Sequence, residues 1–498
     1  MIHQLSRRAF LAGLASGLGT AGLADAPAVS LRPKLRPDNF LRSTATATDA
    51  DALIQTAKLG GKVGFSVVDV TSGLVLEERD ATTGLPPASV SKAITALYAL
   101  DTLGADHRFV TRLVATGGLS NGVLNGDLVL AGGGDPTLDT DALAGLAAKL
   151  KAAGVREVRG KLRTYGGALP FVREVDTDQA EHVTYNPSIS GLNLNFNRVH
   201  FEWKRAGDGY TTTMDARSAK YRPAVQVGRI SIAQRAAPVY TYKDRGTYDD
   251  WSVARKALGK GGARWLPVRK PEAYAAEVFS TFARSHGIVL RPGKPLTSRP
   301  GGTTLASHQS APLRDILREM LKYSNNLTAE CVGLASSVAR KSRAGSLRNS
   351  GQEMSKWARS TLGMQGVKFV DHSGLGAASR VPAASMARAL AVAARKGALK
   401  PILKPIGLRD GNNKVMKNHP IKVMAKTGTL YFTSSLAGYM TAPDGTELAF
   451  AIFTVNEQLR GRIDRQSGTR PEGSRSWNKR SKTMQQKLIE RWGTVYGS

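Results

Sequence analysis

Three short stretches of the chain carry residue types that together can open an amide bond through a serine: Ser89-Val90-Ser91-Lys92, Ser324-Asn325-Asn326 and Lys426-Thr427-Gly428-Thr429. Positions i and i+3 of a helix share a face, so Lys92 can stand beside the hydroxyl of Ser89. A serine hydroxyl is a poor nucleophile until a neighbouring base takes its proton. A lysine can be that base once its pKa falls, through burial or through a nearby cation such as Lys426. At a helix N-terminus, Ser89 also has backbone N–H groups facing developing negative charge. Ser324 and Asn326 are two apart, so an extended turn can aim both into one cleft. Ser324 can relay a proton to a leaving amine there, and Asn326 can hold a substrate amide. Lys426 and Thr427 belong on a strand bordering that cleft, where Gly428 would let substrate backbone approach closely. Thr427 and Thr429 offer hydroxyls, and Lys426 a charge, to a substrate carboxylate.

The elements needed to position these groups are legible around them. Val63 to Val70 alternates apolar and polar residues, Thr71-Ser72-Gly73 turns, and Leu74 to Glu78 returns, which predicts a β-hairpin. After Pro86-Pro87 a helix is expected from near Ser89, with Ile94, Leu97, Leu100 and Leu103 as its apolar stripe. Leu313, Ile316, Leu317, Met320 and Leu321 predict a strongly amphipathic helix running up to Ser324. Strands are expected at Ile421–Ala425, Ser434–Thr441 and Glu447–Val455, the last two joined by a turn at Pro443-Asp444-Gly445. A closing helix puts Met484, Leu488 and Trp492 on one face. Between about 105 and 300, short strand-like runs alternate with turns, and only Leu143 to Leu150 reads clearly as helix. A chain of 498 residues exceeds one hydrophobic core. The division expected is a linker over 29–50, a catalytic domain made of 51–104 and 301–498, and one or two accessory domains inserted over 105–300.

Alone, S-x-x-K is a weak signal, and the chain holds a second match, Ser476-Trp477-Asn478-Lys479. That one lies in a basic segment, Leu459 to Lys482, with eight basic residues and two acids. The segment reads as a solvated loop without helix or strand, and the match is set aside. The ordered trio is far more specific: S-x-x-K, S-D-N and K-T-G together mark class A β-lactamases and penicillin-binding proteins. The 235 residues between Ser89 and Ser324 leave room for a large insertion, which a class A β-lactamase lacks. Leu130-Ala131-Gly132-Gly133-Gly134-Asp135-Pro136-Thr137-Leu138, Ser310-Ala311-Pro312-Leu313 and Asp371-His372-Ser373-Gly374-Leu375 resemble segments of class C low-molecular-mass penicillin-binding proteins. Those are D-alanyl-D-alanine carboxypeptidases and endopeptidases, and the resemblance covers roughly residues 50–458.

The resemblance implies an α/β (α+β) transpeptidase-like domain of the penicillin-binding/β-lactamase type. In it an antiparallel sheet is flanked by helices and interrupted by one or two mainly-β accessory domains. It implies Ser89 as acylated nucleophile, Lys92 as base, Ser324, Asn326, Lys426 and Thr427 in their family roles, and the N–H groups of Ser89 and Thr429 as oxyanion hole. The substrates implied are peptidoglycan peptides, with β-lactams as inhibitors. The chain departs from the family in three places. Ser-Asn-Asn replaces Ser-Asp-Asn, and His372 replaces the usual glycine after Asp371. Gly160-Lys161-Leu162-Arg163-Thr164-Tyr165 lacks the aspartate with which some relatives hold the ammonium of the stem peptide's diamino acid. A β-lactamase or esterase on the same scaffold is the alternative enzyme, though no residue for rapid deacylation stands out. A non-catalytic wall-binding protein would have no need of Ser89, Lys92, Ser324 and Lys426 together.

Composition bounds the rest. Lys and Arg total 70 against 39 acids, a net charge of +31, which favours polyanions: nucleic acid, anionic lipid or acidic wall polymers. No zinc-finger pattern or aromatic-rich RNA-binding strand accompanies the charge, so nucleic acid is not expected as a partner. A peripheral contact with an anionic envelope surface fits it. The eight histidines are scattered, and Gly132-Gly133-Gly134 is followed by no Lys-Ser/Thr, so neither a metal nor a cofactor is expected. The one cysteine, Cys331, excludes an intrachain disulfide and shares helical spacing with Leu327 and Leu334, as a buried core thiol would. Ser6-Arg7-Arg8-Ala9-Phe10-Leu11, a weakly apolar run to Leu23 and small residues over Ala24 to Ala28 resemble a twin-arginine export signal. The expected product is an exported protein, periplasmic or beyond, soluble once residues 1–28 are removed.

Overall fold

The computed structural model describes residues 48–342, 345–464 and 469–497; the export segment expected over 1–28 and residues 29–47 of the linker lie outside them. The strand Glu447–Val455 carries an unbroken apolar run from Leu448 to Phe453 because both faces of its sheet are covered. Leu448, Phe450 and Ile452 point to one face, and Ala449, Ala451, Phe453 and Val455 to the other, with the period of two that a strand imposes. Truncating one of these large side chains to alanine costs about 2–5 kcal/mol in such a setting.

The sheet has six antiparallel strands in the order Lys404–Pro405, Lys422–Leu430, Thr433–Thr441, Glu447–Val455, Lys62–Asp69 and Val75–Arg79. The last pair is the expected hairpin, with a register shift between Val67 and Val68. Against one face pack Ala50–Ala57 and the long closing helix Ser474–Tyr496, whose Trp477, Met484, Leu488 and Trp492 are buried among Phe65, Val67 and Phe450. Against the other lie Ser91–Leu103, Leu313–Tyr323, Asn326–Ala339, Leu347–Leu362 and Ala383–Ala394.

A second core gathers residues from Leu113 to Ala306. Its four-stranded sheet runs Thr303–Gln309, Val110–Ala115, Leu128–Ala131, Leu162–Tyr165, so the strands by which the chain enters and leaves this second core lie side by side. Two three-stranded sheets lie between Arg198 and Pro267, one of them with a parallel pair, and a third joins the short strands Leu119–Ser120, Val123–Leu124 and Glu157–Val158. Helix Thr140–Ala152 covers the expected Leu143 to Leu150. The insertion holds a second helix, Pro271–Ser285, which the sequence reading passed over. Its buried stripe, Tyr274, Ala275, Val278, Phe279 and Ala283, is helical in spacing but uses small residues, and Pro271 sits at the first turn, where proline is tolerated.

The segment Leu459 to Lys482 is not a solvated loop throughout. Glu457–Gly461 is a short helix, and the closing helix begins at Ser474, burying Trp477 and Ser481. Trp477 and Met484, seven apart, belong to one stripe, and the run of basic residues between them occupies the solvent face. Ser476 therefore does stand on a helix, but its hydroxyl bonds the carbonyl of Gly473, and Lys479 is exposed, so nothing strips its ammonium of water.

Candidate active site

Ser89 stands in a single 3-10 turn, Ala88–Val90, that runs into the helix Ser91–Leu103. Ala88 is held at φ 47°, a left-handed conformation that costs an ordinary residue roughly 1–2 kcal/mol. Two glycines make the tight setting possible. A β-carbon on Gly374 would come within 1.9 Å of the Ala88 carbonyl oxygen, and one on Gly428 within 2.8 Å of the Pro87 carbonyl oxygen. Gly428 thus makes room for the nucleophile's own turn, where the sequence reading expected substrate backbone.

Lys92, one turn along, is fully buried. Its Nζ lies 3.0 Å from Ser89 Oγ, 2.7 Å from Asn326 Oδ1 and 2.7 Å from the Ser373 carbonyl oxygen. Burial brings its pKa down to about 8, against the charges of Glu330 and Asp371, which hold it up. The three contacts are unequal. An ammonium donates to all three, but once it loses a proton one contact must reverse, and only the Ser89 hydroxyl has a hydrogen to give. Deprotonation of Lys92 therefore turns it into the acceptor for Ser89.

The second serine–lysine pair faces the same cleft. Ser324 ends the helix Leu313–Tyr323 in the left-handed region, at φ 59°, and Asn325 caps the next helix by accepting the Thr328 N–H at 2.9 Å. Asparagine and aspartate cap about equally well, which is why Ser-Asn-Asn can stand for Ser-Asp-Asn. Asn326 opens that helix and donates through Nδ2 to the Tyr185 carbonyl, a residue of the insertion, at 2.7 Å. Lys426 donates to Ser324 Oγ at 3.0 Å and to its neighbour's carbonyl, Thr427 O, at 2.6 Å, which leaves one ammonium hydrogen for a ligand. Its pKa is driven well below the usual lysine value by burial first, then by the charges of Lys92 and Lys404. The neighbour cation acts in this direction, since Lys92 owes its own depression to burial.

Along the strand Lys422–Leu430, Thr427 and Thr429 are exposed and Gly428 is buried between them, as strand alternation requires. The short strand Lys404–Pro405 pairs only with Ala425 and Met424, so among the described residues no strand covers the edge from Lys426 onward. Such an edge can receive an extended peptide. Ser89, Ser324, Asn326, Thr427, Gly428 and Thr429 line one cavity of about 1350 Å³.

Beneath the cleft lies a carboxylate the sequence reading missed. Glu330 is fully buried and accepts the backbone N–H of His372 at 3.0 Å and of Ser373 at 2.8 Å. Burial raises its pKa to about 8, and Asp371 adds to the rise. Asp371 accepts the N–H groups of Gly374 and Gly376 at 2.7 and 2.6 Å. The two acids thus fix the loop whose Ser373 carbonyl holds Lys92. The signal for Glu330 was available: an acid in the apolar run Leu327 to Leu334, one helical turn after Asn326. His372 is packed rather than solvated, with Nε2 2.7 Å from Ser350 Oγ and burial lowering its pKa to about 3. Cys331 is buried, as expected.

Residues 46–470 match the D-Ala-D-Ala carboxypeptidase 3 (S13) family. A D-alanyl-D-alanine carboxypeptidase from an Actinomadura species is 30% identical over 507 residues, covering 93% of this chain and 92% of the relative. The D-alanyl-D-alanine carboxypeptidase DacB of Haemophilus influenzae is 27% identical over 466 residues, 87% of this chain and 93% of its own. The crystal structure of penicillin binding protein 4 from Haemophilus influenzae superposes with a TM-score of 0.71 at 23% identity, covering 88% of this chain and 98% of that one. The chain belongs to the S13 family, and its enzyme class is that of the serine-type D-alanyl-D-alanine carboxypeptidases.

Proposed function

We propose that this protein cleaves the D-alanyl-D-alanine bond of peptidoglycan peptides through an acyl-enzyme on Ser89. The observation that carries the reading is the Ser89–Lys92 contact at 3.0 Å, with Lys92 buried and its pKa brought to about 8. Neutral Lys92 takes the Ser89 proton as Oγ attacks the carbonyl of the penultimate D-alanine. The oxyanion is met by the N–H groups of Ser89 and Thr429, and Asn326 holds the substrate amide. Ser324, paired with Lys426, passes a proton to the leaving amine, and the C–N bond breaks. The substrate's terminal carboxylate lies against Lys426, Thr427 and Thr429, and an opposite charge there restores the protonated state that burial disfavours in Lys426. Water then releases the peptide from Ser89.

When the leaving amine belongs to free D-alanine the reaction is that of a carboxypeptidase. When it belongs to a crosslinked strand it is that of an endopeptidase, and the edge beyond Lys426 supports both. β-Lactams mimic the same peptide end and acylate the same serine. Mass spectrometry after incubation with penicillin tests this: a stoichiometric adduct should map to the Ser89 peptide. An adduct on Ser476 would overturn the assignment, and steady β-lactam turnover without accumulation would make the protein a β-lactamase.

We also assign the protein to the exported, periplasmic side of the envelope, from the twin-arginine pattern at Arg7-Arg8. Among the described residues no helix is long and apolar enough to cross a membrane. Replacing both arginines by lysine should strand precursor in the cytoplasm; normal export of that variant would point to the general secretory route.

A further inference from the structure

The cavity that contains Ser89 extends along the closing helix, and its far wall is cationic. Arg475, Lys479, Lys482 and Lys487 line it from that helix, and Lys404 and Arg409 from the segment facing them. All six are exposed, and none has an ion-pair partner among the described residues. Arg475, Lys479 and Lys482 are spaced four and three apart, so they form one stripe about 10 Å long on a single helix face. Two acids share the lining. Asp410 is turned into its own loop, accepting the N–H groups of Asn412 and Lys414, and Glu490 accepts from Gln486.

The reaction proposed above needs one cation for the terminal carboxylate, and Lys426 supplies it. The six cations named above, in the same cleft, exceed that need. Like charges gathered in a concave, low-dielectric setting focus their field on whatever enters. The occupant must also reach Ser89 and the open strand edge at Thr427 and Thr429, which requires a peptide backbone. We infer that the closing-helix wall selects stem peptides bearing free carboxylates in addition to the terminal one, and discriminates against their amidated or ammonium-bearing counterparts. This rests on the reading of Ser89 as a D-alanyl-peptide nucleophile.

The test uses the full chain and synthetic peptides ending in D-alanyl-D-alanine, with one free side-chain carboxylate placed one, two or three residues before that pair. Each has a carboxamide twin. For at least one placement kcat/KM should favour the carboxylate about tenfold or more, mainly through KM and less so at high salt. The triple variant Arg475→Gln, Lys479→Gln, Lys482→Gln should bring that ratio near one. A control with the same charge change on the insertion, Lys204→Gln, Lys256→Gln, Lys260→Gln, should keep it. A wild-type ratio near one at every placement overturns the inference, as does an equal loss of preference in the control, which would assign the effect to net charge. Tight binding of polyphosphate that depends on the three helix cations, with no carboxylate preference among peptides, overturns it in favour of a wall-polymer contact. Penicillin labelling separates the two levels. Labelled Ser89 with no carboxylate preference sinks this inference alone, whereas unlabelled Ser89 and no D-alanine release sinks both.

Discussion

Gly428 lies directly over the backbone of Ser89: a β-carbon at Gly428 would stand 3.0 Å from the Ser89 nitrogen, 3.0 Å from Ala88 Cβ and 2.8 Å from the Pro87 carbonyl oxygen. The contacts are to backbone atoms and to a β-carbon fixed to the backbone, none of which can swing aside as a flexible side chain can. Since the same strand carries Lys426 and Thr429, pushing it outward opens the site between its two halves. Gly428→Ala should therefore lower the rate of penicillin acylation at least tenfold while costing about 1–3 kcal/mol of stability, the usual toll of overpacking. Stopped-flow acylation and thermal melting check the two together. A variant that melts as wild type and acylates as fast would mean the strand has slack at this point.

The two lysines should separate by kinetics. With Lys92 as the proposed base, moving a proton in the transition state, Lys92→Ala should slow acylation by penicillin and peptide roughly 10²–10⁴-fold and leave noncovalent binding nearly intact. Lys426 touches Ser324 and has a hydrogen left for a carboxylate. Lys426→Ala should weaken substrates with a free C-terminus more than the same substrates amidated there. Equal damage to acid and amide would leave Lys426 as a partner of Ser324 and nothing more.

The proposed catalytic groups were legible in the sequence because each sits where a local pattern puts it. Ser89 and Lys92 share a helical face, Thr427 and Thr429 share a strand face, and Ser324 follows a strongly amphipathic stripe. The second layer was less legible because it depends on distant segments meeting. Glu330 acquires its role only when residues 371–374, some forty positions later, return to place two N–H groups on its carboxylate. The role of Gly428 depends on how near the Pro87–Ser89 turn comes, which no spacing reveals. The start of the closing helix was hidden by its own composition, since a basic run on the solvent face of a helix reads like a basic loop.

Acylation should follow the protonation of Lys92. In the proposed mechanism the free base is the active form, so the rate should rise with pH to a plateau above about 8, the value burial gives this lysine, and fall about tenfold per pH unit below it. Glu330 holds that pKa up, so Glu330→Gln should move the limb to lower pH. The same variant has one amide oxygen for two backbone N–H donors and should lose about 1–3 kcal/mol of stability. Pre-steady-state acylation across pH 5.5 to 9.5, on the order of the window set by ordinary lysine and carboxylate values, reads the shift. A limb that stays in place would detach the carboxylate from Lys92 and leave it a purely structural anchor.

His372 occupies a position where the family resemblance leads one to expect glycine, and the structure shows what accommodates it. A β-carbon on Gly333 would fall 2.1 Å from the His372 Cγ, 2.3 Å from Nδ1 and 2.4 Å from Cδ2, so the imidazole lies flat on a helix that is bare at that point. The ring is also stacked on Tyr98 at 6.3 Å and bonded to Ser350, which leaves it nowhere to go. Gly333→Ala alone should then be severely destabilising despite alanine's better helix propensity, which favours it by about 1 kcal/mol. His372→Gly alone should cost roughly 2–4 kcal/mol through the cavity it leaves. In the double variant the methyl group has space, so the two losses should not add. A coupling energy of about 2 kcal/mol or more is expected, near the upper part of the range for residues in contact. Denaturant unfolding of the four proteins measures it. If the losses add to within about 0.5 kcal/mol, as for independent sites, Gly333 is not what lets the ring in, and the departure at His372 needs another explanation.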